Sequence, residues 1–156
     1  MTWIYFDRDE PPAPSLKLPS LDGDLLDPSD FRGVSSLVLF FAHGSGCRAC
    51  PAFISELAGA VGALRVQGAE ALVILPIEPA RSLPDLSHLH LLVDRQDALR
   101  QAYTSIFEFD VYSEVILFIL DQFGAPFRAW VGDEPDAEIL PQMLKFLESA
   151  ALLCPE

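Results

Sequence analysis

The pattern of apolar and polar positions predicts buried strands that alternate with amphipathic helices along most of the chain. The clearest strand signals are uninterrupted apolar runs, which are typical of strands covered on both faces of a sheet. Three such runs lie at Leu37–Ala42, within Ala69–Pro76 and at Val115–Leu120, and a shorter one lies at Leu89–Val93. Because helical periodicity separates these runs, the sequence predicts an α/β fold.

Three segments have the spacing of helices. The first runs from Pro51 to about Val66 and should end at Gly68, a residue suited to the C-terminal position of a helix. The second should follow Asp94, which is a suitable N-cap. The third runs from about Asp136 to Leu152, and its positions expected to face the sheet are Ile139, Leu140, Met143, Leu144, Phe146 and Leu147. A strand, a helix and a strand in this order predict a right-handed βαβ unit.

Shorter signals complete the predicted order of elements. Thr2–Phe6 is a candidate strand, and Ser15–Asp27 alternates around Asp22-Gly23, a strong hairpin turn. Pro126–Val131 follows a glycine turn and should pair antiparallel with the strand before it. The chain has 156 residues, without an internal repeat or a dividing linker, so we expect residues 1–156 to form a single domain.

Composition and charge narrow the classes of function. A hydrophobic share of 51% and a charged share of 21% exclude general disorder. The formal charge of −13 argues against binding to nucleic acid or to an anionic membrane, and favours partners with basic patches. We also find no secretory signal and no apolar run near the roughly 18 residues that span a bilayer. Since three cysteines are too few for a disulfide scaffold, we expect a cytoplasmic protein.

The candidate chemistry lies at the corner after the first buried strand. Gly44–Gly46 interrupts the apolar run as a turn, and Cys47 and Cys50 follow where the first helix should begin. Backbone N–H groups and the helix dipole favour a thiolate at such a position, and Arg48 adds a positive charge. Two thiols three residues apart are able to form a disulfide, so the pattern indicates a two-electron redox pair.

A family resemblance rests on these residues. The strand, the turn, Cys47 to Cys50 and the following helix resemble the thioredoxin-like superfamily. Cys50-Pro51 after Phe40-Phe41 also resembles the peroxiredoxin branch, the alkyl hydroperoxide reductase/thiol-specific antioxidant proteins. The N-terminal segments Leu18–Gly23 and Pro28–Gly33 resemble the extension of redoxins. The resemblance extends over essentially the whole chain. It implies a thioredoxin-like α/β fold, in which helices flank a central mixed β-sheet and an N-terminal redoxin-type hairpin precedes it.

The resemblance implies two sets of roles for the cysteines. As in thioredoxins, Cys47 would be the nucleophile and Cys50 the resolving thiol of a thiol–disulfide oxidoreductase, which is the reading we favour. As in peroxiredoxins, Cys50 would instead attack a peroxide and Cys47 would resolve it. Peroxiredoxins carry Thr three residues before the attacking cysteine and Pro seven residues before it, whereas this chain has Cys47 and His43 there.

Further departures leave open a third reading, a non-catalytic thioredoxin-fold module that binds a partner. Where thioredoxins carry a cis-proline and peroxiredoxins an arginine, this chain has Val115, and Phe41 occupies the place of the buried thioredoxin acid. Because a cis bond without proline is costly, we expect a trans Glu114–Val115 bond. We also expect the Val115 side chain to pack near Cys47 and Cys50.

Other readings of the same residues are weaker. Zinc would need two more ligands, and none of the three histidines has a recognised spacing to the cysteine pair, so we expect no metal and no cofactor. His43 is a candidate for proton transfer, with Arg48 and Pro51 as further supporting residues, while His88 and His90 should be structural. Cys154 faintly resembles the resolving region of typical peroxiredoxins, but a tail thiol without function is expected. The implied partners are a disulfide or peroxide substrate, either protein or small molecule, and an electron-donating redox partner.

Overall fold

The computed structural model describes residues 2–7, 10–42, 49–76, 89–107 and 115–151. Within these residues, six strands form the central sheet, in the order β1-β8-β7-β4-β5-β6. Their bounds are β1 Thr2–Tyr5, β4 Ser36–Phe41, β5 Ala69–Leu75, β6 His90–Val93, β7 Val115–Leu120 and β8 Pro126–Gly132. The strands β2 (Leu18–Pro19) and β3 (Leu25–Leu26) form a separate antiparallel pair. The predicted strands are therefore present, with shifts of one or two residues at several ends.

The central strand β4 explains why the sheet is mixed. It pairs in parallel with β5 and antiparallel with β7, and all six of its residues are buried. The pairs β5–β6 and β7–β8 continue these directions outward, parallel on one side and antiparallel on the other. A run without polar alternation fits such a strand because helices or chain segments cover both of its faces.

The connection between β4 and β5 differs from the predicted single helix. Two helices are present, α1 (Cys50–Gly59) and α2 (Val61–Val66). The break lies at Ala60, whose N–H group donates to the carbonyls of Glu56 and Leu57 at 3.1 and 3.0 Å. Gly59 and Gly62 flank the break, and glycine is the weakest helix former apart from proline. Gly68 ends the connection with a φ of 72°, as predicted.

The helix after β6 begins later than its predicted cap. Helix α3 spans Ala98–Thr104, and Asp97 precedes it with a φ of 53°. Asp94 still supplies the capping oxygens, because its carboxylate accepts from the N–H groups of Ala98, Leu99 and Arg100 at 3.0, 2.9 and 3.2 Å. The Asp94 side chain therefore caps the helix as predicted, although the residue that directly precedes the helix is Asp97.

The N-terminal hairpin is present as predicted. Gly23 has a φ of 95°, which a turn of this kind requires, and β2 and β3 pair on either side of it. The hairpin lies beside the edge of the sheet, where the Leu21 N–H donates to the Leu91 carbonyl at 3.1 Å. A short 3-10 turn, Pro28–Phe31, leads from the hairpin toward β4, and Asp27 caps it.

Two apolar clusters cover the two faces of the sheet, and we name each by a residue that it contains. The Cys50 cluster packs β4 against α1, α2 and the last helix, α4 (Ile139–Ala151). The Tyr103 cluster packs the other face against α3 and the N-terminal segment. In α4 the residues Ile139, Met143, Leu147 and Ala150 are buried, and Leu140, Leu144 and Phe146 pack partly buried against the same cluster. The predicted inward face of this helix is therefore confirmed.

None of the helices among the described residues combines the length and the apolar character that crossing a bilayer requires.

Candidate redox site

The site predicted from the sequence lies where β4 ends and α1 begins. Phe41 is the last residue of β4, and Ala49 is the N-cap residue of α1. Three of the predicted site residues, His43, Cys47 and Arg48, lie between these two elements in the sequence and outside the described residues. The expectation that Cys47 lies at the helix N-terminus falls outside them too.

Cys50 is the first residue of α1 and belongs to the core. Its relative exposure is 4%, and it is a member of the Cys50 cluster with Phe53, Leu57 and Val115. The structure records Cys50 as disulfide-bonded. The other two cysteines of the sequence lie outside the described residues. The described part of the site therefore contains a buried sulfur at the start of a helix, and this sulfur is oxidised to a disulfide.

The first turn of α1 is formed by backbone and ring contacts. Pro51 lies in that turn, where its missing N–H group costs no hydrogen bond, and it is exposed. The Phe53 N–H donates to the Ala49 carbonyl at 3.0 Å, which closes the turn around Cys50. The positive end of the helix dipole therefore points toward the site.

Val115, which was expected near the cysteines, is a member of the Cys50 cluster. It is the first residue of β7, it pairs with Gly132, and its side chain is fully buried in the Cys50 cluster. Glu114 lies outside the described residues, and so does its peptide bond to Val115. The placement brings Val115 and Cys50 to the same face of the sheet.

Sequence reasoning did not single out the ring contact beside the site. Phe40 on β4 and Phe53 on α1 pack with their ring centroids 4.8 Å apart and their planes at 46°. The spacing of three residues between Cys50 and Phe53 is a usable signal, since it places both on one face of a helix. The partner ring on the strand becomes apparent only from the fold.

Among the described residues, the two groups whose pKa values are shifted, Tyr103 and Arg128, lie away from Cys50. Burial raises the pKa of Tyr103, which lies in the cluster on the opposite face of the sheet. Burial also lowers the pKa of Arg128, whose guanidinium lies 3.9 Å from the centre of the Tyr5 ring. Neither group is part of the site.

Metal ligation finds no support in the part of the chain that the structure describes, where no cluster of three or more His, Cys, Asp or Glu side chains could hold an ion. His90 lies at the start of β6, with Nε2 3.8 Å from a Glu70 carboxylate oxygen and its ring against Phe31. This setting is structural, as expected for His90, while His88 lies outside the described residues.

Comparison with known proteins identifies the family. The model of the AhpC/TSA family matches residues 10–125, well over half of the chain, and this span includes β4 and Cys50. The chain belongs to the AhpC/TSA family. No curated protein sequence matches it significantly.

Solved structures agree with this assignment to the AhpC/TSA family. The bacterioferritin comigratory protein of Xanthomonas campestris, described for its alkyl peroxide reduction activity, is 19% identical with a TM-score of 0.71, and the match covers 87% of this chain and 92% of that one. Peroxidoxin BcpB of Mycobacterium tuberculosis is 14% identical, with 90% and 96% covered and a TM-score of 0.72. A putative thioredoxin of Neisseria meningitidis is 23% identical, with 89% and 91% covered and a TM-score of 0.63.

At these identities the likenesses establish the fold. The predicted thioredoxin-like α/β fold, with a mixed sheet between helices, is confirmed. So is the predicted class, because a member of the AhpC/TSA family with this fold is a peroxiredoxin-like antioxidant enzyme. Family membership does not by itself assign the nucleophilic and the resolving role to particular cysteines.

Proposed function

We propose that the protein is a thiol–disulfide oxidoreductase in which Cys47 is the nucleophile and Cys50 the resolving thiol. The observation that carries the proposal is the state of Cys50, which is disulfide-bonded, 4% exposed and the first residue of α1. A sulfur so deeply buried in apolar surroundings is poorly placed to meet a bulky substrate disulfide. It is well placed to attack a neighbouring sulfur within the same chain.

The reaction balances as two exchange steps. The Cys47 thiolate attacks one sulfur of the substrate disulfide, forming a mixed disulfide and releasing one substrate thiolate. Cys50, after losing its proton, attacks the Cys47 sulfur and releases the second substrate thiolate. The substrate gains two electrons, the enzyme is left with a Cys47–Cys50 disulfide, and a dithiol partner must return the electrons.

The residues beside the pair receive supporting roles in this proposal. Arg48 supplies positive charge next to the Cys47 thiolate, and His43 accepts or returns a proton. Pro51 lies in the first turn of the helix, and its exposed ring would be accessible to an incoming substrate. We further propose that residues 1–156 act as one domain and that the protein works in the cytoplasm, where a reversible disulfide is more useful than a permanent one.

Trapping of the mixed disulfide tests the assignment. Both single variants are made in a Cys154→Ser background, so that the third cysteine cannot contribute, and each is incubated with a model disulfide. Cys50→Ser should accumulate a mixed disulfide at Cys47, and Cys47→Ser should not. Peptide mapping of the oxidised wild type should join Cys50 to Cys47. A Cys50–Cys154 link, or trapping by Cys47→Ser alone, would contradict the proposal.

A second candidate function follows from family membership and from the alkyl peroxide reduction described for the Xanthomonas protein. In this version the Cys50 thiolate attacks the terminal oxygen of a peroxide, the O–O bond breaks, and an alcohol or water leaves. Cys47 then attacks the resulting sulfenic acid, which forms the disulfide and releases water. Sulfenic acid trapped at Cys50 of Cys47→Ser after peroxide addition would favour this candidate over the first.

The third reading of the sequence, a non-catalytic binding module, is disfavoured by membership of the AhpC/TSA family. It predicts that neither cysteine exchanges with a disulfide or reacts with peroxide faster than a free thiol. The same two variants therefore distinguish all three readings.

A further inference from the structure

The contact between Phe40 and Phe53 joins the end of β4 to the first turn of α1, the two described segments on either side of residues 43–48. Phe40 is fully buried near the end of β4, and Phe53 is 3% exposed in the first turn of α1. Their ring centroids are 4.8 Å apart. This contact therefore helps to fix the position of the first turn of α1 relative to the end of β4.

Backbone hydrogen bonds hold each ring in place. On the strand side, β4 pairs with β5, and the Ala42 N–H continues the pairing with a bond to the Ile74 carbonyl at 3.1 Å. On the helix side, the Phe53 N–H donates to the Ala49 carbonyl at 3.0 Å, so the Phe53 backbone closes the turn that contains Cys50. A shift of the Phe53 ring therefore moves the turn in which the Cys50 sulfur is held.

We propose that Phe53 is a positioning residue, which acts through its contact with Phe40 to hold the first turn of α1 where Cys50 can form its disulfide. The inference rests on the proposed function, because it assumes that this disulfide forms and breaks in use. Disulfide geometry is narrow in distance and dihedral angle. A turn that samples more positions brings the two sulfurs into that geometry less often, so the disulfide loses stability relative to the two thiols.

The opposite face of the same strand offers a matched control. Phe41 follows Phe40 in β4, is 1% exposed, and packs against Tyr103 of α3 with ring centroids 5.1 Å apart and planes at 47°. This contact has nearly the same geometry as the Phe40–Phe53 contact, but it lies in the cluster that does not contain Cys50. Phe41→Leu therefore removes an equivalent ring from the same strand without touching the turn at Cys50.

The experiment measures the equilibrium between the protein disulfide and glutathione. Two glutathione thiols reduce the Cys50 disulfide to two protein thiols and become glutathione disulfide, and the fraction oxidised is read after acid quenching and alkylation. Phe53→Leu and, independently, Phe40→Leu should destabilise the disulfide by roughly threefold to tenfold, the range that a ring pair supports. Phe41→Leu should stay within about twofold of the wild type, a factor below the effect of a lost ring pair, although it also lowers the melting temperature.

The outcomes separate the inference from the proposed function. Equal shifts in Phe53→Leu and Phe41→Leu, or no shift in either Phe53→Leu or Phe40→Leu, would overturn the positioning role alone. A wild-type disulfide that does not exchange with glutathione would overturn the proposed function and the inference with it. Circular dichroism on each variant confirms that folded proteins are compared, and Phe40→Leu provides the test if Phe53→Leu does not fold.

Discussion

The two faces of β4 are equally apolar and differ in what packs on them. Val38 and Phe40 belong to the Cys50 cluster, while Leu39 and Phe41 belong to the Tyr103 cluster. The first face meets a helix whose opening residue is a disulfide-bonded cysteine. The second meets a tyrosine, Tyr103, whose buried hydroxyl has no hydrogen-bond partner among the residues that the structure describes. Because β4 presents apolar side chains on both faces, the redox chemistry depends on the helix packed against one of them, α1, which begins at Cys50.

The largest expected difference between the two faces is in turnover. Cys50→Ser should abolish steady-state reduction of a disulfide substrate, because the mixed disulfide at Cys47 then has no resolving thiol. Tyr103→Phe, a change to the most buried polar group of the other face, should leave the turnover rate unchanged. Steady-state assays with a model disulfide and a dithiol reductant give both rates, and substantial turnover by Cys50→Ser would refute the assigned role.

In contrast to turnover, the free energy of unfolding should depend to a similar extent on packing at both faces of β4. Leu57 on α1 and Leu99 on α3 have relative exposures of 0% and 1%. Each Leu→Ala change leaves a cavity in one cluster and should lower the free energy of unfolding by about 2–5 kcal/mol. Urea denaturation of the reduced proteins measures both losses. A cost at Leu57 that far exceeds the cost at Leu99 would mean that the Cys50 face dominates stability as well as chemistry.

The Tyr103 face should respond to alkaline pH. Burial raises the pKa of Tyr103 above its ordinary value of 10.0, so the folded state holds this proton where the unfolded state releases it. The resulting contribution to stability is complete below pH 10 and is lost as the pH rises above it, by about 1.4 kcal/mol per pH unit.

Tyr103→Phe is the control for this pH dependence, because it removes the titrating group and keeps the ring. Unfolding free energies between pH 9 and pH 11 should fall less steeply for the variant than for the wild type. Identical slopes would show that another group causes the alkaline loss.

The smallest expected effect is a gain of activity at Val115. Proline is tolerated at the first residue of a strand, the position that Val115 holds in β7. The family resemblance implies that a proline here receives substrate backbone, so Val115→Pro should raise general disulfide reductase activity severalfold. Insulin reduction measures the gain, and unchanged activity in a folded variant would mean that Val115 does not correspond to the family's proline.

Much of the fold could be predicted because its strands are long apolar runs with clear boundaries. Val115–Leu120 was predicted to the residue, since a turn follows it and every position is buried. The break between α1 and α2 was missed, because apolar periodicity continues through Ala60 while the backbone does not. Local sequence indicates which residues face the core, and it says less about whether the helix between them is continuous.

The location of the candidate site could also be predicted from local sequence, whereas the packing around Cys50 could not. The position of Cys50 at a strand-to-helix corner could be inferred from the apolar run and the glycine turn before it. Its burial and the ring contact of Phe53 with Phe40 depend on how α1 lies against β4. That arrangement is set by packing between segments, which no local pattern records.

The pairing of β1 with β8 has a consequence for how the chain folds during synthesis. Thr2 pairs with Val131 and Tyr5 with Arg128, so β1 can pair only after β8, much further along the chain, has been synthesised. Contacts between such distant residues form slowly, because a long loop must close before they contribute. The edge next to β8 should therefore be the last part of the sheet to close. Until then, the nascent chain presents an unpaired strand edge that chaperones are suited to protect.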